Sequence, residues 1–143
     1  MTAPSSVHSR RFWLQSQPLS VGVGLVVLTV AVSELLPPSL AADLHAMVLV
    51  FIAAQYAGFA SLDGGGRAMA MEFAGIGLFC GLAVLGLWVC APIQILGYAG
   101  HAAWDTLHHP ESGFGATIIG WYVPFCVVYD ILVASYLVVV YLG

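Results

Sequence analysis

Lysine is absent from this chain, and arginine occurs only at Arg10, Arg11 and Arg67. Charged residues make up 7% of 143, against about a quarter in a soluble domain. That deficit excludes a water-soluble globule. A formal net charge of −4 and the lack of any basic stretch exclude nucleic acid as a partner, and no polybasic segment is present to read anionic lipids. Cysteine is sparse too. Cys80, Cys90 and Cys126 form no Cys-x-x-Cys pair and read as small buried apolar residues. No repeat or low-complexity linker divides the chain, so residues 1–143 read as a single integral membrane domain with a cytoplasmic tail over 1–17.

What the chain has in quantity is hydrophobic sequence, 61% of it, in runs of roughly 18 to 28 residues, the lengths a hydrocarbon core demands of helices. Span one is predicted from Leu19 to Leu36, stopping at Pro37-Pro38, and span two from Leu44 to Leu62, ending at Asp63-Gly64-Gly65-Gly66-Arg67. Span three covers Ala68 to Val89, with Gly75, Gly77, Gly81 and Gly86 suited to close helix packing. A fourth segment, Pro92 to His109, carries polar residues and either crosses or re-enters. Span five covers Gly115 to Leu142, with Pro124 placed to kink it. The expected fold is all-α: a polytopic transmembrane helical bundle of five spans, or four if 92–109 is re-entrant or span one is cleaved.

Arginine placement sets the expected orientation. Arg10 and Arg11 precede span one and Arg67 follows span two, so both loops lie on one side, which the positive-inside tendency makes cytoplasmic. The expected location is a bacterial inner membrane with the N-terminus in the cytoplasm. Ser9-Arg10-Arg11-Phe12-Trp13-Leu14 also looks like a twin-arginine export signal, and Ser39-Leu40-Ala41 like a small-x-small cleavage site. Positive-inside anchoring explains the same arginines.

Ionisable side chains at membrane depth each cost a few kcal/mol at mid-bilayer and require partners in the bundle interior. Glu34, Asp43 and Asp63 fall at span ends and read as solvated. Glu72 opens span three, and Asp130 sits deep in span five with apolar residues for two turns beyond it. His45 and Tyr56 share a face of span two; Cys126 and Asp130 share one of span five. Trp104 and Trp121 read as interfacial belt residues.

The densest chemistry lies in Gly100-His101-Ala102-Ala103-Trp104-Asp105-Thr106-Leu107-His108-His109. On a helix, positions 0, 4 and 7 fall on one stripe, so His101, Asp105 and His108 are predicted to line up, with His109 a quarter-turn away. Two imidazoles and a carboxylate on one face can hold a transition metal. The predicted ligands are therefore His101, Asp105, His108 and His109, for iron or zinc, with copper left open. Glu72 and Asp130 are the candidate catalytic residues, as general base or as partners orienting a histidine. The same residues could instead relay protons, or pin helices in a non-catalytic subunit of a larger complex.

Asp105-x-x-His108-His109 resembles in part the HxxHH boxes of membrane di-iron hydroxylases and desaturases, and the chain shares His and Asp residue types with zinc-dependent intramembrane hydrolases. Gly-His-x-x-Trp-Asp-x-x-His-His, with Tyr129-Asp130 downstream, more closely resembles a group of small bacterial integral membrane proteins, over roughly the last 45 residues. That resemblance implies that the box and Asp130 belong together and supplies no reaction. A buried site is reached through the bilayer, so the expected partners are membrane lipids and a lipid-like small molecule, in a homo-oligomer or a larger membrane complex.

Overall fold

Four helices of this protein are long and apolar enough to cross a membrane, and a fifth, shorter one is packed among them. The computed structural model describes residues 16–143. The helices are α1 (Ser16–Leu35), α2 (Pro38–Asp63), α3 (Gly66–Trp88), α4 (Ile93–Leu107) and α5 (Tyr122–Leu142). The all-α bundle is as the sequence predicts. Arg10, Arg11 and the twin-arginine segment lie outside the described residues, and Ser39-Leu40-Ala41 lies within α2.

Local sequence sets the breaks. Pro38 opens α2 at its first turn, where its missing N–H has no helical partner to lose. Gly64, at φ 71°, closes α2 in the left-handed conformation and donates its N–H to the Ala60 carbonyl at 3.2 Å. Pro124 does not kink α5. That helix starts at Tyr122, after an irregular segment, rather than at the Gly115 that the apolar run predicts, so the proline occupies its first turn. The segment 92–109 is helical only over Ile93–Leu107, 15 residues, and is not among the four membrane-length helices.

Side-chain contacts give the directions. Ser33 meets His45, Gln94 meets Ala42, Tyr56 meets Asp105, and Tyr136 meets Glu34. So α1, α3 and α5 run one way, and α2 and α4 the other. One end of the bundle gathers the start of α1, the Asp63–Gly65 turn and the 108–121 segment. The other holds the α1–α2 and α3–α4 connections and the C-terminus.

Polarity is arranged opposite to that of a water-soluble protein. Ser33, His45, Glu72, Gln94, His101, Asp105, His108 and Asp130 are buried, while Val27, Leu28, Met47, Phe51, Leu78 and Val139 are exposed. Apolar outside and ionisable inside is stable where the solvent is hydrocarbon. Glu34, Asp43 and Asp63 are exposed at helix ends, as read from sequence. Of the cysteines only Cys126 is buried; Cys80 is half-buried and Cys90 exposed, because burial depends on which side of each helix faces the bundle.

Candidate metal centre

Helix α4 carries the site, and glycine lets its neighbours approach. A β-carbon on Gly97 would collide with Leu49, one on Gly86 with Gln94, and one on Gly75 with the Trp104 ring. Trp104 is thus a wedge between α3 and α4 rather than the interfacial belt residue read from sequence. Two hydrogen bonds set the register of α4 against α2. The Gln94 amide donates to the Ala42 carbonyl at 2.9 Å, and the Tyr98 hydroxyl donates to the His45 carbonyl at 2.8 Å.

That register brings three ionisable side chains together. His101, Asp105 and Asp130 are all fully buried. His101 Nδ1 lies 2.8 Å from Asp130 Oδ2 and 3.3 Å from Asp105 Oδ2. Asp105 follows His101 by one helical turn, which explains their pairing. Asp130 arrives from α5. The Tyr56 hydroxyl donates to Asp105 Oδ1 from α2. Phe79 and Tyr56 set their rings edge-on to the His101 imidazole, with centroids 4.9 Å and 5.7 Å away.

One donor atom from each of His101, Asp105 and Asp130 can be chosen so that all three lie within 4.8 Å of one another. With metal–ligand bonds of about 2.0–2.2 Å at tetrahedral angles, donors sharing an ion stand about 3.3–3.6 Å apart. The 3.3 Å contact of Nδ1 with Asp105 reaches that range, and the 2.8 Å contact with Asp130 is a hydrogen-bond distance. His101 Nε2, Asp105 Oδ2 and Asp130 Oδ1 are buried without a hydrogen-bond partner, whereas buried polar atoms are as a rule satisfied. Two carboxylates sealed beside each other also require positive charge, from protons or from a cation. A group of this composition could hold a metal ion.

His108 does not join this group. Helix α4 ends at Leu107, and His108 is its C-cap, at φ −86° and ψ 18°, so the predicted stripe ends before its third member. Its Nδ1–H donates to the Trp104 carbonyl at 2.9 Å, while Nε2 lies 2.8 Å from Glu72 Oε1. A carbonyl only accepts, so Nδ1 carries a hydrogen, and the Nε2–Oε1 contact holds one further proton. The Ala116 N–H also donates to Glu72 Oε1, at 2.7 Å. Gly115, at φ 63°, makes this closure possible, because a β-carbon there would occupy the space of Glu72 Oε1 and His108 Nε2. His109 is half-buried in the following turn, where its Nδ1 accepts the Glu111 N–H at 3.3 Å.

The candidate residues therefore form two clusters, His101–Asp105–Asp130 and Glu72–His108, with Tyr56 between them. The Tyr56 ring centroid is 5.7 Å from that of His101 and 4.9 Å from that of His108. Tyr56 shares a face of α2 with His45, but its partner Asp105 comes from another helix, so no local spacing could show its role. A cavity of about 360 Å³ between α1, α2 and α5 is lined by Leu25, Phe51, Tyr122, Phe125 and Tyr129 and reaches Asp130. The chain matches no protein-family model, no curated protein and no solved structure, so the reading of this site rests on its own geometry.

Proposed function

We propose that this is an integral membrane protein in which His101, Asp105 and Asp130 bind one divalent transition metal, iron or zinc, and that the centre acts on a lipid-like molecule. The observation that carries this reading is the convergence of the three donors, each with a buried atom that has no hydrogen-bond partner. A metal there would act as a Lewis acid, or would lower the pKa of a bound water. Tyr56 orients Asp105 through its hydroxyl, as groups one step removed from a metal commonly do. The apolar cavity that ends on Asp130 gives a molecule dissolved in the bilayer a side approach. A bacterial inner membrane, with the Arg67 end cytoplasmic, belongs to the same proposal and rests on arginine placement and on the resemblance of the box.

Elemental mass spectrometry of detergent-purified protein, reloaded with iron or zinc, tests it. Near-stoichiometric metal that is lost in His101→Ala and Asp130→Asn supports the centre. Folded protein that stays empty refutes it. Iron would direct the search toward oxidation and zinc toward hydrolysis.

One observation favours a second reading, proton transfer. Glu72–His108 and His101–Asp105–Asp130 are two buried proton-holding clusters with the Tyr56 ring between them. Metal-free protein that moves protons into liposomes, and loses this in Glu72→Gln, would establish it.

A further inference from the structure

A second, more polar cavity opens at the other end of the bundle, at the last turn of α1 and the last turns of α5. It measures about 300 Å³ and is lined by Ser33, Glu34, His45, Tyr136 and Tyr141 among others. Ser33 Oγ and His45 Nε2 are 2.8 Å apart. His45 Nδ1 has no hydrogen-bond partner, in a residue only 1% exposed; in the tautomer whose Nε2–H donates to Ser33, on which the inference rests, Nδ1 is a bare acceptor. Tyr136 sets its ring 5.8 Å from the imidazole and donates its hydroxyl to Glu34 Oε1 at 2.6 Å.

Charge is missing on one side of this arrangement. Among the described residues Glu34 forms no ion pair, and the one arginine, Arg67, stands at the opposite end of the bundle beside Asp63 and Gly115. The ligand that completes the cavity therefore brings a positive charge and N–H donors: a carboxylate and an imidazole nitrogen to accept them, and tyrosine faces to lie against the cation. A quaternary ammonium has no N–H to give. Helix ends bearing tyrosines sit at the depth of lipid head groups.

We infer that this cavity binds the primary ammonium head group of a membrane phospholipid, held by Glu34 and His45 Nδ1. The inference is independent of the metal centre. Native mass spectrometry of the delipidated full chain, titrated with phosphatidylethanolamine, phosphatidylcholine and phosphatidylglycerol of identical acyl chains, tests it. The expected result is at least tenfold preferential retention of phosphatidylethanolamine. Glu34→Gln should bring the preference close to one, and Tyr136→Phe should weaken it several-fold, with the melting temperature of both variants near wild type because Glu34 is exposed and phenylalanine keeps the ring that packs on His45. Equal retention of the ethanolamine and choline lipids, or a preference that survives Glu34→Gln, overturns the proposal. Binding of free ethanolamine without any preference among the lipids overturns the phospholipid as the source of the amine.

Discussion

His101 Nδ1 and Asp130 Oδ2 lie 2.8 Å apart, fully buried, on helices whose contacting residues are 29 positions apart in sequence. Both side chains are sealed from bulk solvent, so each depends on the other for its charge state. Removing Asp130 therefore acts on two properties at once, affinity for a cation and the protonation of the histidine.

Asp130→Asn preserves shape and removes one ionisable donor. Metal retained after dialysis should fall at least tenfold, while the helical circular dichroism spectrum stays unchanged. Because ligands must lose protons to bind metal, wild-type affinity should weaken as pH is lowered. Isothermal titration with zinc at several pH values checks the direction, and an affinity independent of pH would contradict ligation by these groups.

Tyr56→Phe keeps the ring between the two histidines and deletes the hydroxyl that donates to Asp105. Leaving a buried carboxylate short of a donor costs about 1–3 kcal/mol. Thermal unfolding in detergent should show that loss, and metal affinity should drop by about 10–100-fold, the usual effect of removing a group that orients a ligand.

Gly115→Ala places a β-carbon in left-handed backbone, at φ 63°, on top of Glu72 and His108. Strain of this kind is on the order of 1–3 kcal/mol, before the added clash. Hydrogen exchange should quicken across 108–121, with α1 unaffected. Unchanged protection of that segment would mean that the Glu72–His108 closure does not hold it.

Gly97→Ala drives a methyl group into Leu49, whereas Gly77→Ala meets nothing within 4 Å. Overpacking typically costs about 1–3 kcal/mol, so Gly97→Ala should melt earlier and bind metal less well. Gly77→Ala should melt at or slightly above the wild-type temperature, since alanine is the better helix former. Equal melting of the two variants would argue against the close approach of α4 to α2.

The membrane character and all-helical class were legible because they depend on local quantities: scarcity of charge, run length, and the prolines and glycines that end each run. Asp63-Gly64-Gly65 and Pro37-Pro38 mark true breaks for that reason. The His101–Asp105 pair was legible as well, since one turn of α4 imposes it whatever surrounds the helix. His108 was misaligned because the stripe assumed a helix that continues, and α4 ends at Leu107. Trp104 could not be read as a wedge without knowing that Gly75 of α3 lies opposite it. Composition and spacing determined what this chain is made to dissolve in and which residues carry its chemistry. Only the tertiary structure decided that Asp130 and Tyr56 close on the His101–Asp105 pair while Glu72 takes His108, because helix rotation and pairing are set by packing between segments distant in sequence.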